Sequence, residues 1–244
     1  ASDVYKRQGE SRPELRQRLC QWAREAGART VAVPAQEIEP LYLSPELWQQ
    51  LRLPSGTELR LPLAGAHQRR NLALALTVRE QIAADFPISD TALAEGLRRL
   101  RHWGLRARCE PVRLSPLTVL DVAHNPAAIA ALCSTLHEHG HGATRWTLVF
   151  AAMADKDVEG MLRLLQPYAS RLLACAPRTE RALPVDALIE CAQRAGFSSV
   201  MGTASVAEAV RHAWHAGEPM LVVGSFYLLG EALPVVEELC GGGL

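Results

Sequence analysis

Lysine is nearly missing from this chain of 244 residues. Lys6 and Lys156 are the only two, so almost all of the 26 basic residues are arginine. There is no net charge either, because 26 acidic residues balance the 26 basic ones. That balance excludes a surface built mainly to grip nucleic acid or an anionic membrane. No Gly-Lys pair occurs, which rules out a GxxxxGK[ST] phosphate loop, and neither GxGxxG nor GxSxG is present. The chain therefore has no familiar glycine-rich cradle for a triphosphate or dinucleotide and no nucleophile elbow. The six cysteines, at 20, 109, 133, 175, 191 and 240, form no CxxC pair and sit at no metal-ligand spacing with histidine. They read as buried thiols of a protein in a reducing compartment. No apolar run reaches the length of a membrane span and no signal-peptide pattern opens the chain, so the expected location is the cytoplasm.

What is present is a regular alternation. From about Leu117 onward, strand-like apolar runs at 118–120, 146–150, 172–176, around 200 and at 220–223 are each followed by a helical pattern. Those helices are expected over 126–139, 158–165, 185–195, 206–216 and 228–239. Continuous apolar strands alternating with helices predict an α/β fold, a mostly parallel Rossmann-like sheet with helices on both faces. The preceding part is less regular. It offers a helix over 11–27, a short strand at 30–33, a Pro-rich irregular stretch over 34–56, an edge strand at 59–63, and helices over 71–84 and 91–100. The break falls near Trp103–Arg106. Two strands and three helices do not complete a domain, so this part reads as the tail of a larger one. Residues 1–8, ASDVYKRQ, match nothing that follows and read as a non-native scar.

In an open parallel sheet, ligands bind beyond the carboxyl ends of the strands. Three loops at such ends carry polar groups. In DVAHNP at 121–126, Asp121 closes a strand and stands beside His124, so its carboxylate can orient or charge the imidazole; Asn125 and Pro126 suit the start of a helix. The helix start itself offers free N–H groups to an anion. The plainer alternative is an Asn-capped turn with a surface histidine. In MADKD at 153–157, Lys156 is a compact ammonium in an arginine-rich chain; a solvated charge run is the competing reading. In GSFY at 224–227, Ser225 and Tyr227 bring hydroxyls to the last strand end, or merely form a tight turn. Outside the sheet, His67, Gln68 and Asn71 precede or begin a helix, and Arg108 lies in an arginine-rich connection.

Taken together these segments resemble the folylpolyglutamate synthase/dihydrofolate synthase family, relatives of the Mur ligases. The matching stretches are HQRRN at 67–71, Arg108-Cys109-Glu110, DVAHNP at 121–126, VFAAMADKD at 149–157, APRTERA at 176–182 and VGSFYLLGE at 223–231. The resemblance covers roughly residues 15 to 240. It implies a C-terminal portion: residues 9–105 would end the ATP-binding (Mur ligase central) domain, and 106–244 would form the C-terminal glutamate ligase domain. It implies an ATP-dependent ligase that phosphorylates a pterin carboxylate and joins L-glutamate to it, with ATP and Mg2+ as cofactors. Dihydropteroate or folate, L-glutamate and ATP would be its small-molecule partners, without nucleic acid or membrane, in a monomer. Carried over by position, Asn71 would contact adenine and Arg108 the ATP phosphates, with Arg106 as a substitute. Asp121 and His124 would contact nucleotide or line the cleft near the reacting groups. Lys156, Ser225 and Tyr227 would hold the incoming glutamate. Val122 departs from the family, which has glycine there, and WGLRAR at 103–108 departs from its WPGR. The phosphate loop and metal ligands would lie upstream of residue 1, so the chain alone should not catalyse. Another Mur-type amino-acid ligase and a non-catalytic Rossmann-like binding module are the alternatives.

Overall fold

The computed structural model describes residues 13–28 and 38–241, so residues 1–8 and the strand expected at 30–33 lie outside the described residues. Helix α1 spans Pro13–Glu25 and buries none of its residues.

The stretch expected to be irregular instead supplies two strands of a small sheet, beside the edge strand expected at 59–63. Strands β1 (Pro40–Leu43), β2 (Gln49–Arg52) and β3 (Glu58–Leu61) run antiparallel in that order, and β3 lies at an edge, as Pro62 requires. The pattern hid β2 because a glutamine occupies a core position. Gln49 is fully buried, and its amide donates to the carbonyls of Leu63 (2.6 Å) and Gly65 (3.3 Å). A polar side chain survives there because its hydrogen bonds are made. Helix α2 (Ala66–Gln81) starts five residues before the expected Asn71, since its cap is Gly65 at φ 99° rather than a side-chain capping residue. His67 and Gln68 are thus inside the helix. Helix α3 (Asp90–Arg98) is capped by Ser89, whose hydroxyl accepts from the Ala92 amide. Leu51, Leu59, Leu61, Leu63 and Leu72 form the core of this region.

The six-stranded sheet has the order β4-β5-β9-β6-β7-β8. Its strands are β4 (Glu110–Leu114), β5 (Leu117–Asp121), β6 (Trp146–Phe150), β7 (Ala169–Ala174), β8 (Val200–Gly202) and β9 (Met220–Val223). All neighbours are parallel except β4, an antiparallel edge strand that the sequence reading missed. EPVRL carries a proline and two charges, and only an edge tolerates the proline. Side chains alternate between two cores. Trp146, Leu148 and Phe150 face α4 (Pro126–Leu136), α5 (Val158–Leu165) and α6 (Val185–Arg194). Val149, Leu173 and Val222 face α7 (Val206–His215) and α8 (Phe226–Leu239). The central strands β5, β6 and β9 and the second half of β7 are buried on both faces, which is why their sequences are apolar without a period of two.

The two regions meet at the end of α4. His139 Nδ1 lies 2.6 Å from the Ser44 carbonyl oxygen and His141 Nε2 lies 2.7 Å from that of Pro45. Leu47 and Ala64 are buried in the same core as α4. Among the described residues, no helix is long and apolar enough to cross a membrane.

Candidate active site at the carboxyl ends of β5, β9 and β6

Strands β5, β9 and β6 are parallel neighbours, so their carboxyl ends share one rim of the sheet. The chain leaves β5 and β6 toward the face covered by α4 and α5, but leaves β9 toward the face covered by α8. Neighbouring strands whose continuations part in this way open a crevice. Its walls are the loops 121–126, 151–157 and 224–227.

Gly224 brings two of these loops together. Its φ is 131°, and a Cβ there would collide with the Ala151 carbonyl oxygen and sit 2.9 Å from the Phe150 ring. Only glycine satisfies both conditions. The next residue, Ser225, is 2% exposed, and its hydroxyl caps α8 by accepting from the Leu228 amide at 3.0 Å. Helix α8 therefore starts at Phe226, two residues before the expected Leu228. Phe226 and Tyr227 are exposed in its first turn. Asn125 caps α4 in the same manner, accepting from the Ala128 amide at 2.9 Å, with Pro126 in the first turn. Two helix N-termini thus adjoin the crevice.

Asp121 does not orient His124. Its Oδ1 accepts from the Ala123 amide (2.7 Å) and its Oδ2 from the Cys109 amide (2.6 Å). The paired amides engage both oxygens, and the imidazole turns instead to the Val122 carbonyl, with Nδ1 3.0 Å from its oxygen. Burial pushes the Asp121 carboxyl up to about 6, against the opposing pull of those two amides and of Arg108 and His124. Asp121 is thus a brace for the loop that carries Arg108.

Arg108 has no carboxylate partner among the described residues. Its Nη1 reaches only the carbonyls of Arg106 (3.3 Å) and Ala107 (3.4 Å), and its guanidinium lies 5.3 Å from the centre of the Phe226 ring. The His124 ring packs on that phenyl ring at 5.4 Å between centroids. Arg106, the proposed substitute, is committed elsewhere: it binds Glu110 at 2.8 Å and Glu237 at 3.0 Å. Lys156 stands on the neighbouring loop and pairs with Asp155 at 2.8 Å, and Asp155 also meets Arg181 at 3.4 Å. Asp157 is not free, since it caps α5 through the Gly160 amide. Asn71 is exposed on α2, its amide donating to Gln68 at 3.1 Å. Among the described residues, no three His, Cys, Asp or Glu side chains converge as metal ligands.

Phe226 was not singled out by sequence, yet it touches both Arg108 and His124. A bulky apolar residue between a serine cap and a tyrosine is a signal only once the strand end is known to face a crevice.

Residues 107–226 match the family described as Mur ligase, glutamate ligase domain. The chain belongs to the folylpolyglutamate synthase/dihydrofolate synthase family. It is 36% identical over 175 residues to a probable bifunctional folylpolyglutamate synthase/dihydropteroate synthase of Halobacterium salinarum, covering 70% of this chain and 20% of that one. It is 31% identical over 192 residues to the folylpolyglutamate synthase of Lacticaseibacillus casei, covering 76% of this chain and 41% of that one. Among solved structures, the Mycobacterium tuberculosis folylpolyglutamate synthase complexed with ADP superposes with a TM-score of 0.74 at 27% identity, covering 92% of this chain and 53% of that one. The chain spans about half the length of that solved relative and less of the two curated ones. The mostly parallel sheet with helices on both faces, expected from sequence, is the fold of this family's C-terminal domain.

Proposed function

We propose that the chain is the part of an ATP-dependent glutamate ligase that closes over the nucleotide and receives glutamate. Residues 9–105 would end the ATP-binding domain, and 106–244 would be the glutamate ligase domain. The observation that carries this reading is Arg108: a guanidinium without a counter-ion, held at a crevice beside two helix N-termini. Such a group suits the phosphate oxygens of ATP. The named activity of the relatives and the ADP bound to the M. tuberculosis structure support the same assignment.

In this reading ATP transfers its γ-phosphoryl group to a carboxylate oxygen of dihydropteroate or folate, leaving ADP. The amino group of L-glutamate then attacks the acyl carbon, phosphate departs, and the nitrogen loses a proton as the amide forms. Arg108 meets the charge that develops on the phosphoryl oxygens. Lys156 exchanges Asp155 for a glutamate carboxylate, with Tyr227 and the spare hydroxyl proton of Ser225 beside it. With Nδ1–H donated to the Val122 carbonyl, His124 keeps its lone pair on Nε2 and can accept the proton of the attacking amine. Asn71 contacts adenine from the first region. ATP would supply the phosphoryl group. Mg2+ would be held by the ATP-binding half, as the resemblance implies, and would neutralise charge on the phosphates. The protein would act as a cytoplasmic monomer.

The test joins this chain to its ATP-binding half and measures ADP release together with glutamylated product, offering dihydropteroate, tetrahydrofolate and a muramyl peptide precursor in parallel. The reading expects pterin substrates only, no turnover by the 244 residues alone, and a loss of about 100-fold in kcat/KM for Arg108→Ala. Turnover of the muramyl substrate alone would move the protein to another branch of Mur-type ligases. An unchanged kcat/KM in Arg108→Ala would remove Arg108 from the reaction.

A further inference from the structure

We propose that Glu110 is a positioning residue which, together with Asp121, locks Arg108 in the conformation that binds the polyphosphate of the nucleotide. This rests on the reading of Arg108 given above. The residues on either side of Arg108 are both left-handed although neither is glycine: Ala107 has φ 55° and Cys109 has φ 47°. Side-chain-bearing residues adopt that conformation reluctantly and hold it only where the surroundings enforce it. Here each has its own enforcer. The Ala107 amide donates to Glu110 Oε2 at 2.6 Å, and the Cys109 amide donates to Asp121 Oδ2 at 2.6 Å. The Ala107 carbonyl is fixed as well, accepting from the Val122 amide at 3.0 Å.

Glu110 is 4% exposed, and its second oxygen accepts from Arg106 Nε at 2.8 Å. That bond draws Arg106 toward Glu237 and away from the crevice. The loop thus places two carboxylates next to Arg108 but directs both at backbone amides, leaving the guanidinium unpaired. A cation that is fixed and yet not neutralised loses little on binding an anion, because neither an ion pair nor backbone freedom has to be given up. Electrostatics alone makes the opposite demand of Glu110: removing its negative charge should strengthen anion binding.

That opposition supplies the test. Binding of sodium tripolyphosphate to the 244-residue chain is measured by titration calorimetry at low salt. The variants are Arg108→Ala, Glu110→Ala, Glu110→Gln, and Glu110→Ala combined with Ala107→Gly; circular dichroism follows each. The proposal expects Arg108→Ala and Glu110→Ala each to weaken binding about tenfold. Glu110→Gln, which keeps an oxygen for the Ala107 amide, should bind within about twofold of the parent. Adding Ala107→Gly should recover most of what Glu110→Ala loses, because glycine takes φ 55° unaided. Equal or tighter binding by Glu110→Ala overturns the proposal while leaving Arg108 as the ligand. Loss of fold in Glu110→Ala without recovery by either second variant also overturns it, by making Glu110 purely structural. No binding by the parent chain, or unchanged binding by Arg108→Ala, defeats the reading of Arg108 and takes this inference with it.

Discussion

The brace formed by Asp121 has a measurable consequence in the pH dependence of folding. Its carboxyl titrates near 6 in the folded chain, against an ordinary 3.8, chiefly because burial disfavours the charged form. The folded protein therefore holds this proton more tightly than the unfolded chain does. The stabilisation is full below about pH 3.8 and is lost as the pH rises through 6. A difference of that size is worth at most about 3 kcal/mol, and about 2 once the partial exposure of the residue is allowed for. The neutral variant Asp121→Asn lacks this titration. Urea unfolding of both proteins between pH 4 and 7.5 isolates the effect, since every other group is common to the pair. The variant should gain about 2 kcal/mol relative to the parent across that window, most of it between about pH 4 and 6, with little further change above about pH 7. A difference that stays constant with pH would show that Asp121 is ordinarily acidic, and the buried brace would be wrong.

Further outcomes follow from the same geometry. Gly224→Ala should lower stability by about 2–4 kcal/mol in urea, because a methyl group meets the Ala151 carbonyl and the backbone sits at φ 131°. Arg106→Ala should cost about 2–3 kcal/mol by leaving buried Glu110 with only the longer Arg101 contact at 3.9 Å, yet should spare polyphosphate binding, the reverse of Arg108→Ala. In the joined enzyme, Lys156→Ala should raise the KM for glutamate about tenfold or more with a smaller effect on the KM for ATP, and the sodium chloride dependence of the glutamate KM should flatten.

Much of the fold was legible because strands buried on both faces leave continuous apolar runs, and four of the five parallel strands fall within two residues of their expected limits. Strand β7 is the exception, starting at Ala169 rather than 172. What escaped the pattern was held by polar residues doing internal work. Gln49 in the core masked β2, and Pro111 with Arg113 masked β4. The early start of α2 was hidden because Gly65 caps it without a side chain. The site was legible as a set of loops but not as a set of roles. That β5, β9 and β6 are neighbours follows from topology, whereas the engagement of Asp121 with two amides depends on the Arg108 loop folding beneath it. No local spacing reveals that Cys109 and Asp121 are in contact.

Every role assigned to Arg108, His124, Lys156 and Tyr227 requires ligands to bind in the crevice at the carboxyl ends of β5, β9 and β6. Backbone amide resonances of the chain, followed by NMR during titration first with ADP and then with L-glutamate, test this directly. ADP should move the amides of Arg108, His124 and Phe226, and glutamate those of Lys156 and Tyr227. Shifts confined to the opposite end of the sheet, around Thr147, Arg171 and Glu218, or an absence of shifts along the crevice, would contradict it.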